Sequence, residues 1–221
     1  MRFSVACSSS LAAAMFAISA SAEEPREPAA FGLAELMKGM AATSGVIAEF
    51  REQKQLALLE KPLESSGTLY FVPPNRLARF TLKPEASALI IDGEKLRFQQ
   101  GDRVNFDLSG SPMARVFIDS FIVLFNGDLP KLQDLYRTTF SAKDEAWTLI
   151  LEPRKSPLRR LVSEIALRGD RTGIREMVIQ SRDGDRTSTA LNIVETNYHF
   201  TDDQLNSLFV EGTVPVTETN R

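Results

Sequence analysis

Between Gly67 and Leu108 the chain reads GTLYFVPPNRLARFTLKPEASALIIDGEKLRFQQGDRVNFDL, short alternating apolar segments broken at Pro73-Pro74-Asn75, Asp92-Gly93 and Gly101-Asp102-Arg103. Alternation is the period of a β-strand, whose successive side chains point to opposite faces, and the breaks are turn formers. The stretch therefore predicts consecutive antiparallel strands with one apolar face. Residues 112–126, PMARVFIDSFIVLFN, then switch to helical spacing, with Pro112 suited to a first turn and Met113, Phe117, Phe121, Leu124 and Phe125 on one stripe. Val116, Ile118, Ile122 and Val123 cover much of the remainder, and a helix apolar on nearly every side must lie between layers or face a nonpolar ligand. Sheet and helix together carry more apolar surface than they need for each other. That excess points to a container with the helix as its plug or lid.

The flanking sequence extends the sheet. Leu33, Leu36, Met37 and Met40 fall at i, i+3, i+4 and i+7, so residues 31–42 predict a short amphipathic helix ended by Thr43-Ser44-Gly45. Strands are expected at Val46–Leu59 and Leu63–Val72, a helical turn at Leu129–Leu135, and strands again at Tyr136–Ala142, Trp147–Glu152, Val162–Leu167, Ile174–Ser181 and Thr187–Val194. A short helix is expected over Asp203–Phe209, where Asp202-Asp203 suit the positive end of the dipole. Placing Asp92-Gly93 in a two-residue hairpin turn pairs Leu89 with Leu96, and a three-residue loop at Gly101-Asp102-Arg103 pairs Phe98 with Phe106. The expected fold is mainly β (α+β): an open, strongly curved antiparallel half-barrel of about 10–11 strands, with helices packed as plug or lid in its concave face.

Several functions are disfavoured. Residues 1–22 have Arg2, an apolar run from Phe3 to Ile18 and Ala20-Ser21-Ala22 before Glu23-Glu24-Pro25, the layout of a secretory signal peptide. Its removal takes away Cys7, the one cysteine, and so disulfides, thiolate nucleophiles and cysteine zinc sites. It also takes the formal charge from −3 to −4, which offers nucleic acid no overall attraction. His199 is the one histidine, without companions for a metal, and reads as an ordinary imidazole. No nucleophile elbow, phosphate loop or dinucleotide fingerprint is present, so no enzyme, metal or cofactor is expected. The organisation expected is signal peptide 1–22, a disordered leader 23–30, one domain 31–210 and a disordered tail 211–221.

Parity and size select the residues expected to line a hydrophobic cavity: Phe50, Leu69, Phe71, Phe80, Leu89, Leu96, Phe98, Phe106, Trp147, Leu149 and Met177 from strands, with Met113, Phe117, Phe121, Leu124 and Phe125 from the helix. Arg76, on the parity of Ala78 and Phe80, is the candidate for a polar latch that donates to loop or helix-end carbonyls. Lys155, Arg159 and Arg160, beside Arg154, form a basic cluster read first as a solvated loop and second as a docking patch for an anionic surface.

The order of an amphipathic helix, Phe50-Arg51-Glu52-Gln53, then GTLYFVPPNRLARF and ALIIDGEKLRF resembles the periplasmic lipoprotein carriers of the LolA type, over roughly Leu33 to Phe209. The most specific parts are Gly67 to Phe80 and Ile91-Asp92-Gly93. The resemblance implies an incomplete barrel that holds acyl chains of a lipoprotein, or of another lipid, between an inner-membrane donor and an outer-membrane acceptor. It implies a periplasmic protein with no metal or cofactor, and a monomer is expected. Where those carriers have an arginine before the turn proline, used to latch the lid, this chain has Val72; Arg76 or Arg79 could substitute, and Arg76, on the interior parity, is the one expected to. The rival expectation is a lipid or lipoprotein sensor or scaffold in envelope regulation. Such a sensor would normally add a domain, and the chain's end soon after its last strand favours transport.

Overall fold

The computed structural model describes residues 31–100, 104–107 and 122–214. Among the described residues, eleven antiparallel strands form one sheet: β1 (Val46–Gln55), β2 (Leu63–Val72), β3 (Arg76–Lys83), β4 (Ser87–Asp92), β5 (Lys95–Gln100), β6 (Val104–Asp107), β7 (Tyr136–Lys143), β8 (Ala146–Pro153), β9 (Val162–Asp170), β10 (Gly173–Ser181) and β11 (Arg186–Thr196). Their spatial order is β6-β5-β4-β3-β2-β1-β11-β10-β9-β8-β7. Hairpins explain both arms, and the β1–β11 pairing joins them in the middle. The sheet is open and curled, so β6 and β7 are its two edges. Residues 122–135, which precede β7, lie on the inner face.

Register assigns two faces. Val46, Ala48 and Phe50 on β1 lie beside Phe71, Leu69 and Gly67 on β2, which lie beside Leu77, Arg79 and Thr81 on β3. The same face continues through Ile91 and Leu89, then Leu96 and Phe98. Across the other arm it holds Leu191, Met177, Leu167, Leu149 and Phe140. This inner face receives α1 (Leu33–Ala41), the helical turn α2 (122–125) and α3 (Leu129–Leu135). Leu36, Met37, Val123, Leu124 and Leu132 pack there with Tyr136, Trp147, Leu149, Leu151 and Leu167. Ile122 packs instead with Phe71, Leu77, Ile91 and Leu96, so α2 bridges the arms.

The outer face differs between the arms. On β7–β10 it carries the ion pairs Arg137–Glu152 and Arg168–Glu176 and meets solvent. On β1–β4 it is covered by α5 (Asp202–Asn206) and the π-helical turn Ser207–Glu211. Leu208 and Phe209 are buried against Ile47, Tyr70, Ala78, Phe80, Ala88 and Ile90. This covering has its own start signal, a reciprocal capping box in which Gln204 N–H donates to Thr201 Oγ1 and Thr201 N–H to Gln204 Oε1.

Two glycines permit close approaches. Gly127, at φ +64°, ends α2 against α1, and a Cβ there would lie 2.0 Å from the Met37 carbonyl oxygen. A Cβ on Gly169 would lie 2.5 Å from the Trp147 ring, whose indole N–H donates to the Asp170 carbonyl at 2.8 Å.

Three sequence expectations are corrected. β1 stops at Gln55, since 56–62 form the turn to β2. The β4–β5 turn is Gly93-Glu94, so Leu89 pairs with Phe98 and Ile91 with Leu96. Only Gly93 needs positive φ, and moving it to the first turn position preserves the faces while shifting partners. The C-terminal helix runs on to Glu211, as a π-helical turn, rather than entering a tail there. The Phe98–Phe106 backbone pairing is as expected from a three-residue loop.

Candidate functional site

Among the described residues, a cleft lies on the inner face where the two arms meet. Val46 and Ala48 of β1, Leu69 and Phe71 of β2, and Leu191, Ile193 and Thr196 of β11 form its floor, with Ile174 of β10. Met40 and Thr43 at the end of α1, Phe125 of α2, and Thr172-Gly173 of the β9–β10 turn complete the walls. The lining follows from β1–β11 pairing, because alternation on these central strands turns Ala48, Leu69, Phe71 and Leu191 to one side. Phe125 crosses it: its ring lies 5.0 Å from that of Phe71, and it also packs against the core of the other arm.

The cavity volume is about 80 Å³. Ligand pockets for small molecules commonly run to roughly 300–1,000 Å³. An extended apolar chain therefore has to displace side chains to enter, and Phe125, half-buried, is the wall supplied by α2.

A polar cluster adjoins the cleft on the same face. Arg79 lies 4.1 Å over the Phe50 ring and 3.1 Å from Glu52 Oε2, which also accepts from the Thr189 hydroxyl at 3.1 Å. The site so offers an apolar floor with one guanidinium and one carboxylate at its margin. It brings together no nucleophile, base and orienter, and among the described residues no group of three or more metal-ligating side chains occurs.

Of the residues selected from sequence, Leu69, Phe71 and Phe125 line the cleft. Phe50 and Leu89 share its face, Leu96 is buried against Phe71 on that face, and Leu124, Trp147, Leu149 and Met177 belong to the inner core of the other arm. Phe98 shares the face and is half-buried. Phe106 is placed only by its backbone pairing, and Met113, Phe117 and Phe121 lie outside the described residues.

Phe80 and Arg76 require correction. β2–β3 register puts both on the outer face with Tyr70 and Ala78, because a three-residue turn from Val72 to Arg76 keeps Phe71 opposite Leu77. Arg76 Nε donates to Asp92 Oδ1 at 2.7 Å, and its guanidinium sits 4.4 Å over the Phe209 ring. The contact with helix-end carbonyls is made by Arg97, which donates to the carbonyls of Phe209 and of Val210, the latter at 3.1 Å. Sequence reading missed Met40, Ala48, Ile174, Leu191 and Ile193 of the cleft, and ranked Arg79 below Arg76. The consecutive apolar runs Leu69-Tyr70-Phe71 and Ala88-Leu89-Ile90-Ile91 were the available sign that both faces of this arm are covered.

His199 is exposed. The basic segment is partly structured: α4 (Leu158–Leu161) buries Leu158, Arg154 Nε donates to the Tyr136 carbonyl at 2.9 Å, and Lys155 pairs with Asp134 at 2.7 Å.

An open antiparallel sheet, curled around helices and leaving an apolar cleft at the junction of its arms, defines a mainly β half-barrel. Residues 26–203 match the family described as outer membrane lipoprotein carrier protein LolA-like, and the chain belongs to that family. No curated protein matches the chain. Similar solved structures include a LolA superfamily protein from Nitrosomonas europaea, 6% identical with a TM-score of 0.42, covering 80% of this chain and 97% of that one. The MucA/MucB complex of Pseudomonas aeruginosa is 15% identical with a TM-score of 0.43, over 77% of this chain and 57% of that one. LprF from Mycobacterium bovis is 12% identical with a TM-score of 0.38, over 76% and 92%.

Proposed function

We propose that the protein is a periplasmic carrier that shelters the acyl chains of a lipoprotein, or of another lipid, and conveys them toward the outer membrane as a monomer. The observation that carries the reading is the apolar cleft between the arms, walled by Phe125 of α2. Membership of a carrier family supports it, and the layout of residues 1–22 supports export, with domain 31–210 as the working unit.

Cargo enters by displacing Phe125 from the Phe71 side, and the chains then lie along Ala48, Leu69, Leu191 and Phe50. Arg79, at the margin of that floor, is the polar group placed to meet whatever polar end the cargo retains. No catalysis is required of any residue. The test is saturation of the purified protein with an apolar dye and displacement by a long-chain fatty acid, together with mass spectrometry of lipids carried through purification from periplasm. Near one-to-one saturable binding is expected. An interior that takes up neither dye nor lipid overturns the reading, and capture of a protein partner without lipid would favour the sensor instead.

A further inference from the structure

The end of the molecule away from the Thr172–Thr196 side of the cleft has a character of its own. The β1–β2 turn carries Leu58, 97% exposed, and Leu59, 42% exposed, and α4 ends at Leu161, also 42% exposed. Hydrogen bonds tie these loops into one surface. Ala57 N–H donates to Asp185 Oδ1 at 2.9 Å, Arg182 N–H donates to the Leu161 carbonyl at 2.9 Å, and Arg182 Nε donates to the Arg159 carbonyl at 2.6 Å. The β1–β2 hairpin also outreaches its neighbour. β3 ends at Lys83 opposite Ser66, three residues short of Leu63, so the hairpin stands roughly 10 Å beyond it.

The charge of this end opposes that of the chain. Residues 54–63, 154–161 and 181–186 contain eight basic and three acidic residues, although the whole sequence carries −3. Lys54, Lys61, Arg159, Arg160 and Arg186 make no ion pair among the described residues, whereas Lys155 is matched by Asp134. Of the acids, Asp183 and Asp185 each accept from a turn N–H, which lowers their competition for an outside cation. Projecting leucines ringed by unpaired cations fit one kind of surface well. The leucines gain by leaving water for acyl chains, while the cations remain at the headgroup level.

We propose that this end is a docking site for an anionic phospholipid bilayer, with Leu58 and Leu59 inserted and Lys61, Arg159, Arg160 and Arg186 against the lipid phosphates. Docking in this way leaves the Thr43, Thr172 and Thr196 end of the cleft facing away from the bilayer. The surface is separate from the cleft, so the proposal stands or falls independently of the carrier reading.

The test is flotation of the naturally processed full-length protein with two kinds of vesicle, phosphatidylcholine alone and phosphatidylcholine with phosphatidylglycerol. Binding to the anionic vesicles is expected, with little to the neutral ones, and with loss at about 1 M salt, where the Debye length shrinks to roughly 3 Å. Leu58→Ser with Leu59→Ser should weaken partition about tenfold, and Arg159→Glu with Arg160→Glu at least tenfold. Circular dichroism confirms that the variants remain folded. Lys95→Glu with Lys143→Glu, the same charge change at the other end, should leave binding within about twofold. Absence of binding to anionic vesicles, equal binding to both kinds, or equal weakening by all three double variants overturns the proposal. Retention by an acidic protein column without vesicle binding also overturns it.

Discussion

The two coverings of the sheet differ in how they are fastened. The outer covering, α5 and the π-helical turn, follows β11 closely in sequence, starts with a capping box and ends under Arg97, with Arg76 stacked on Phe209. Aromatic rings interlock beneath it: Tyr70 lies 6.0 Å from Phe80 and 6.3 Å from Phe200, both edge-on. The inner covering is assembled from α1, α2 and α3, drawn from distant parts of the chain, and leaves the cleft between them. The lesson is a division of labour. One face of the β1–β4 arm is closed by a covering local in sequence, and the other borders the cleft.

This division can be broken most sharply at Phe209. It is 2% exposed, so Phe209→Ala should cost about 3–5 kcal/mol in denaturant unfolding. Dye affinity of the folded fraction should not change, and altered affinity would erase the distinction between the faces.

Phe125→Ala tests the opposite case. This half-buried ring should cost less, about 2–3 kcal/mol, and should change uptake or release of an apolar ligand. Normal ligand kinetics would show that Phe125 is ordinary core.

The two arginines sharpen the comparison at smaller cost. Arg76→Leu removes a half-exposed ion pair and a ring contact, worth about 1 kcal/mol together, and should leave binding alone. Arg79→Leu should alter affinity for a ligand with a polar end while sparing a purely apolar dye. The reverse order would place the polar pole of the site on the outer face.

The smallest effect is expected at the β9–β10 turn. Hydrogen bonds from Arg175 and Thr172 hold Asp170 at a pKa of about 2, below its usual 3.8. A carboxylate with a lowered folded-state pKa stabilises above its ordinary value and loses that contribution as pH falls through the folded one. The turn should therefore loosen between about pH 4 and pH 2. Trp147, the sole tryptophan, donates to the Asp170 carbonyl, so its fluorescence should report the change, and Asp170→Asn should remove it.

The strands and the family were legible because alternation and turn residues survive in one sequence: β2 runs over Leu63–Val72 as read, and α3 over Leu129–Leu135. What failed was the choice of face on β3. Leu77 and Arg79 alternate with Ala78 and Phe80, and both sets are covered, so hydrophobicity could not select the cleft side. Phe80 and Arg76 were assigned to the cavity for that reason. Ala48, Ile174 and Leu191 escaped notice because a cleft floor is created by the β1–β11 pairing, which no local pattern announces.

That central pairing also dictates an order of assembly. Asn192 donates to Glu49 across 143 residues of sequence, and forming so distant a contact requires closing a very long loop first. While the chain is being made, β1 has a partner on its β2 side only, and its other edge waits with exposed N–H and C=O groups until β11 arrives. An unfinished molecule is consequently a sheet with a sticky seam at its future centre, prone to pairing with other chains. Holding that seam apart until the C-terminal strand is available is a demand that the topology places on whatever escorts the nascent chain.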